Sequence, residues 1–314
     1  MEPRTIASAL GRPGLTSLIG QTPLLPIEGL RDVAPGVDVL GKAEWFNPGG
    51  SVKDRAAWGM VRAGEASGAL GPGRILVDAT SGNTGIAYAW IGGARGFGVK
   101  LAIPANASAE RMRLLALLGA ELVLTDPMEG TDGAIREARR IAAADPGTTF
   151  YPDQYGNEAN WRAHYETTAD EIWQQTEGRV THLVAGIGTS GTLVGTSRGL
   201  RERRSSIEVI AVQPDSPLHA LEGLKHLPTA MVPPIYDPSA HDETIEVSSE
   251  EAFEMVERLA RRGLPMGWSA GAAVVAAERV ARRLRHGVVV AVLPDGAERY
   301  LSEPRPAPPR EGRS

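Results

Sequence analysis

Short apolar runs alternate along the chain with longer segments whose apolar positions recur every three or four residues. The runs VDVLGKAE (37–44), RILVDA (74–79), VKLAIPA (99–105), AELVLTD (120–126), THLVAGIG (181–188), IEVIAVQP (207–214) and GVVVAVLPD (287–295) read as buried strands. Between them, 52–66, 84–95, 109–119, 133–143, 192–203, 250–263 and 270–284 carry helical periodicity. Strand and helix in turn predict an α/β fold of mostly parallel sheet with helices on both faces. The tail after residue 302, EPRPAPPREGRS, is proline-rich and polar and is expected to be disordered. Neither a linker nor a repeat of fixed period interrupts the pattern.

Composition narrows the chemistry. The 314 residues hold no cysteine, which removes thiolate metal sites and cysteine nucleophiles. None of the six histidines lies three to five residues from another, so a helical zinc motif is absent and no metal is expected. A net charge of −5 offers no general attraction to nucleic acid or anionic lipid. No run of about 18 apolar residues appears, and the first twenty residues do not read as an export signal; a cytoplasmic protein without membrane contact is expected. Only four lysines are present (Lys42, Lys53, Lys100 and Lys225), so chemistry that needs a deprotonatable amine has four candidates.

Ligands of open α/β sheets bind where strands run into helices, and four such junctions are unusual. In Asn47-Pro48-Gly49-Gly50-Ser51-Val52-Lys53 a tight turn delivers Lys53 to the first turn of a helix. There the helix dipole and burial both lower an amine's pKa, as Schiff-base chemistry requires; the alternative is a solvated lysine at a helix start. Thr80-Ser81-Gly82-Asn83-Thr84-Gly85 sets hydroxyls and an amide at a helix N-terminus, either an anion cradle or a capped polar turn. Gly186-Ile187-Gly188-Thr189-Ser190-Gly191-Thr192 fits G-x-G-x-x-G between strand and helix. Its literal reading is an NAD-dependent oxidoreductase, but Gln213 stands where the dinucleotide pattern wants an acidic residue. Three hydroxyls among four residues suit a phosphate monoester better. Pro265-Met266-Gly267-Trp268-Ser269-Ala270-Gly271-Ala272 surrounds one serine with small residues, which by itself reads as close helix–sheet packing.

Together with QYGN (154–157) and HYETTADEIW (164–173), these segments resemble the cysteine synthase family of pyridoxal-phosphate enzymes, whose fold is shared with tryptophan synthase β subunits. The resemblance runs from Ile19-Gly20-Gln21-Thr22-Pro23-Leu24 to Pro294-Asp295-Gly296-Ala297-Glu298-Arg299-Tyr300-Leu301. It implies two open, twisted, mostly parallel sheets. One belongs to a smaller mobile domain over 47–153, the other to a larger cofactor-binding domain over 1–46 plus 154–302, with 303–314 as tail. It also implies a homodimer. Lys53 matches the lysine that holds pyridoxal 5′-phosphate as an internal aldimine. Asn83 matches the amide beside the cofactor's phenolic oxygen, and Gly188, Thr189, Ser190, Gly191 and Thr192 match the 5′-phosphate loop. Ser269 matches the hydroxyl at the pyridine nitrogen. Thr80, Ser81, Thr84 and Gln154 match the groups that close on the substrate carboxylate.

A neutral serine at the ring nitrogen makes a weaker electron sink than a carboxylate would, which steers the chemistry toward concerted loss of a good β leaving group. The implied reaction is β-replacement through an α-aminoacrylate, converting O-acetyl-L-serine and sulfide or thiosulfate into L-cysteine. O-phosphoserine sulfhydrylase, cystathionine β-synthase and diaminopropionate-type synthesis share that chemistry and stay open. A catalytically silent scaffold fits less well, since binding alone needs no Schiff-base amine. Ala169-Asp170, Trp268 and Gly296-Ala297 depart from the usual family residues without removing a catalytic group. The segment Leu221 to Pro228 resembles the B-type members, which often carry two arginines where Lys225 and His226 stand. This pair is the candidate site for an anionic co-substrate or leaving group; a solvated loop is the alternative.

Overall fold

The computed structural model describes residues 14–80 and 82–301. Its strands are β1 (Leu24–Pro26), β2 (Val37–Ala43), β3 (Ile75–Ala79), β4 (Gly98–Pro104), β5 (Glu121–Thr125), β6 (Thr149–Phe150), β7 (His182–Gly186), β8 (Glu208–Pro214), β9 (Glu243–Val247) and β10 (Gly287–Leu293). The helices are α1 (Lys53–Ala66), α2 (Asn83–Arg95), α3 (Ala109–Leu117), α4 (Gly130–Ala144), α5 (Glu158–Ala163), α6 (Ala169–Gln175), α7 (Gly191–Arg203), α8 (Ser249–Ala260) and α9 (Trp268–Ala281). A π-helical segment, His164–Thr168, joins α5 to α6.

Two sheets result. Six strands lie in the order β1-β2-β10-β7-β8-β9, and four in the order β5-β4-β3-β6. All pairings are parallel except that of β1 with β2. The mostly parallel α/β architecture expected from the pattern is therefore present. The described residues contain no helix long and apolar enough to cross a membrane.

Side-chain alternation divides each sheet between two cores. In the six-stranded sheet Val184, Ile210, Val212, Val289 and Ala291 face one way and pack with Ala272, Val274 and Leu259 of α8 and α9. Their chain neighbours Leu183, Ala185, Val209, Val290 and Val292 face the other way, toward Ile172, Leu193 and Leu200 of α6 and α7. In the four-stranded sheet Leu76, Leu101 and Ile103 meet Met60, Ile91 and Leu115 of α1, α2 and α3. Val77, Ala79 and Ala102 meet Ala134, Ile135 and Ala138 of α4. Burial on both faces explains the unbroken apolar sequences, and it leaves the C-terminal strand ends as the place where polar groups can gather.

Candidate active site

The loops after β3, β7 and β10 and the start of α1 converge on one cleft, which encloses about 1090 Å³ including the solvent at its mouth. Lys53 enters it from a turn that is fixed on several sides. The Gly49 N–H donates to Asp54 Oδ2 (2.5 Å) and Trp90 Nε1 donates to Asp54 Oδ1 (3.2 Å). Burial raises the Asp54 pKa to about 6. A Cβ at Gly49 would lie 2.3 Å from Trp90 Nε1, so only glycine fits there. The Val52 N–H donates to the Pro294 carbonyl (2.8 Å), tying the turn to the end of β10.

Two residues beyond Lys53, the buried Arg55 joins Glu44 (2.7 Å) and Glu171 (2.6 Å), and Glu171 also pairs with Lys42 (2.6 Å). With its backbone so constrained, Lys53 is half-buried and lines the cleft. Its Nζ has no hydrogen-bond or ion-pair partner among the described residues. Burial pushes its pKa below the usual ammonium range, opposed by the charges of Asp295 and Glu44. A partnerless amine with a lowered pKa is poised for nucleophilic or base chemistry.

Opposite stands the loop between β7 and α7. Ser190 takes a left-handed conformation (φ 68°) at the N-terminus of α7, where free backbone N–H groups favour an anion. The N–H groups of Gly188, Thr189 and Ser190 meet no acceptor among the described residues. A Cβ on Gly188 would lie 2.2 Å from the Gly223 carbonyl, and one on Gly191 would lie 2.0 Å from Asn160 Oδ1. Asn160 in turn donates to Thr189 Oγ1 (3.1 Å) and to the Gln154 carbonyl (2.7 Å).

Behind the loop, His164 Nδ1 meets Thr168 Oγ1 at 2.9 Å and its Nε2 meets Thr192 Oγ1 at 3.3 Å. Burial holds the ring neutral, with a pKa of about 3. The Thr168 hydroxyl has no other acceptor among the described residues, so it donates to Nδ1; the ring proton then sits on Nε2 and is donated to Thr192. That ordering leaves the Thr192 proton free for a ligand.

The remaining predicted residues fall out as follows. Thr80, Asn83, Thr84, Gln154, Gly188, Thr189, Ser190, Thr192, Ser269 and Lys225 line the cleft along with Lys53. Thr80 Oγ1 accepts from the N–H groups of Gly82 and Gly85 (both 3.2 Å). Gln154 accepts from Thr84 Oγ1 (2.9 Å) and donates to the Ala79 carbonyl (2.6 Å), linking the loop after β3 to the segment before α5. The buried Ser269 hydroxyl, at the start of α9, has no partner among the described residues. Lys225 Nζ lies 5.1 Å from the Tyr155 ring centroid, and burial lowers its pKa. Gly191 is set back against Asn160, His226 turns to Thr229 Oγ1 (2.8 Å) and lies outside the lining, and Ser81 lies outside the described residues.

Among the polar cleft residues that sequence reasoning missed are Asp295, Tyr300, Arg111 and Glu222. Asp295 Oδ2 accepts from Asn83 Nδ2 and from the Tyr300 hydroxyl, each at 2.6 Å. Arg111 of α3 pairs with Glu222 and stands over the Tyr300 ring, 5.6 Å from its centroid. For Asp295 a signal was available, a carboxylate closing an apolar strand; for the other three there was none.

An unpaired amine, a loop of unsatisfied N–H groups and a free hydroxyl around one cleft fit a phosphorylated aldehyde that is covalently held through a lysine. The family model described as "Pyridoxal-phosphate dependent enzyme" matches residues 15–295. The chain belongs to that family, and pyridoxal 5′-phosphate is its cofactor. Its relatives include cysteine synthases. It is 46% identical over 298 residues to a cysteine synthase of Aquifex aeolicus, covering 93% of this chain and 91% of that one. It is 41% identical over 289 residues to cysteine synthase B of Escherichia coli, covering 92% and 94% respectively. The crystal structure of a cysteine synthase from Entamoeba histolytica superposes with a TM-score of 0.89 at 34% identity, over 99% of this chain and 96% of that one.

Proposed function

We propose that this enzyme forms L-cysteine by β-replacement, taking O-acetyl-L-serine and sulfide to cysteine and acetate. The observation that carries this reading is the partnerless Lys53 amine, which shares one cleft with the unsatisfied N–H groups of Gly188, Thr189 and Ser190. The loop and the Thr189, Ser190 and Thr192 hydroxyls would hold the cofactor's 5′-phosphate, Ser269 its ring nitrogen and Asn83 its phenolic oxygen. When bound, pyridoxal phosphate supplies the electron sink that allows a Cα–H bond to break and a β-substituent to leave.

The chain's own groups do the rest. Thr80, Ser81, Thr84 and Gln154 take the substrate carboxylate and so orient the Cα–H bond toward Lys53. Lys53 Nζ, its pKa lowered by burial, accepts the Cα proton as acetate departs from Cβ. It returns that proton to Cα once sulfide has added to Cβ. One C–O bond is broken and one C–S bond is made. Residues 47–153 form the smaller, mobile domain in this reading, and its closure excludes water. The larger domain comprises 1–46 with 154–302. Two copies assemble as a homodimer in the cytoplasm.

Lys225, the cationic side chain of its loop that reaches the cleft, attracts an anionic co-substrate such as thiosulfate or the phosphate of O-phosphoserine. The experiment is to add O-acetylserine, then O-phosphoserine, to the cofactor-loaded protein and follow its visible absorbance, with sulfide or thiosulfate added to form product. Cysteine released from O-acetylserine and sulfide supports the reading, and a protein inert toward both donors refutes it. A Lys225→Ala variant with unchanged kinetics toward every anionic substrate refutes the role of Lys225 alone.

A further inference from the structure

Asp295 follows the end of β10 inside the cleft, where backbone and side-chain contacts both hold it. Its residue is 1% exposed. Its carbonyl accepts from the Gly267 N–H (3.0 Å), and its backbone forms an isolated antiparallel bridge with Ser51. Oδ2 takes two donors, Asn83 Nδ2 and the Tyr300 hydroxyl. Oδ1 is buried with no partner and is tucked against Gly267, where a Cβ would come within 2.0 Å of it. The Tyr300 ring is itself wedged, stacked on Trp268 at 4.8 Å. A buried carboxylate oxygen without a partner is costly, so its retention at a functional cleft calls for a role.

The chemistry of the Asn83 contact supplies one. An ionised carboxylate oxygen has no proton to give and can only accept, so the Asn83 amide faces it with nitrogen rather than oxygen. Nδ2 carries two hydrogens. One is held by Oδ2, and the other diverges from it at the trigonal angle. Resting on the reading that Asn83 stands beside the cofactor's ring oxygen, we propose that Asp295 is a positioning residue. It locks the Asn83 amide with its nitrogen inward, so that the second N–H is presented to that oxygen. The absence of a Cβ at Gly267 is what admits the carboxylate to this position.

The test measures the pyridoxal phosphate dissociation constant and the visible absorbance of the loaded protein. Wild type is compared with Asp295→Ala, Asp295→Asn, Asn83→Ala and the double variant Asn83→Ala/Asp295→Ala. Losing a hydrogen bond to a charged group should weaken cofactor binding about ten-fold or more in Asp295→Ala and shift the visible band. Asp295→Asn, whose amide oxygen can accept the same two donors, should recover most of the loss. In the Asn83→Ala background the Asp295→Ala change should add nothing further, since it acts through Asn83.

An Asp295→Ala protein with wild-type band and affinity overturns the inference, as does a loss that adds in full to that of Asn83→Ala. A wild type that takes up no cofactor overturns the site reading and this inference together; a loaded wild type with an unaffected Asp295→Ala overturns this inference alone. Should Asp295→Ala fail to fold, Gly267→Ala displaces the same carboxylate. The same band shift is then expected, and its absence counts against the proposal.

Discussion

Replacing Arg55 by Met tests whether the ion network beneath Lys53 supports the site. Arg55 Nε and Nη2 donate to Glu44 at 2.7 and 2.9 Å, and Nη1 and Nη2 donate to Glu171 at 2.6 and 2.7 Å. Without the guanidinium, Glu171 keeps Lys42 and the Gln21 N–H. Glu44, fully buried, keeps only the neutral donors Thr22 and Asn47. The cost therefore falls mainly on Glu44, as a buried charge stripped of its partner, and should be about 3–5 kcal/mol. For a chain of this size that lowers the unfolding midpoint by roughly 6–10 °C, at about 2 °C per kcal/mol.

The loss should depend on pH. Despite its burial, Arg55 holds the Glu44 carboxyl below its usual range; Glu171, also opposed by desolvation, is brought to about 2 chiefly by Arg55, with Lys42 helping. Both groups stabilise the wild type above their unfolded pKa of 4.5, and that contribution is lost as pH falls through the depressed folded values. In Arg55→Met burial raises the Glu44 pKa instead, so Glu44 takes up a proton and the gap between variant and wild type narrows from pH 7.5 to pH 5. Urea unfolding at the two pH values is the assay. A loss below about 1 kcal/mol at pH 7.5, against the 3–5 expected for a buried pair, or a gap that does not narrow, refutes the reasoning.

Other outcomes follow from the same geometry. Gly188→Ala places a Cβ 2.2 Å from a backbone carbonyl that cannot rotate away, so urea unfolding should show a loss of about 1–3 kcal/mol and cofactor titration a raised dissociation constant. His164→Asn should weaken cofactor binding about ten-fold through the Thr192 hydroxyl. It should leave the shape of the activity–pH profile between pH 5 and 9 unaltered, because the ring titrates near 3. The neutral His164 ring contributes stability above its unfolded pKa of 6.5, and that contribution is lost as pH falls toward 3. Wild type should therefore lose more stability than His164→Asn between pH 7 and pH 5, which the same unfolding assay reads.

Strands whose central apolar runs are buried on both faces, such as β7, β8 and β10, were legible because polar residues fall only toward their ends. β9 was not, since ETIEV alternates buried and exposed positions at a sheet edge, and β1 and β6, of three and two residues, carry no periodicity. The His164–Thr168 π-helical segment leaves no local mark beyond its motif. At the cleft, the junctions that carry Lys53, Asn83 and the 188–192 loop stand out by their local residues, whereas Ser269 is singled out only by the family resemblance. Asp295 meets Asn83 across 212 positions, and Arg111 meets Glu222 across 111. Such pairs exist only once both sheets have folded, and no local spacing announces them.

The central claim is that Lys53, among four lysines, carries the cofactor. Reducing the pyridoxal-phosphate-loaded protein with borohydride makes the linkage permanent, and mass mapping of the peptides then reads its position. The account predicts the added mass on the peptide containing Lys53 and its disappearance in Lys53→Ala. Label on Lys42, Lys100 or Lys225, or none at all, would contradict it.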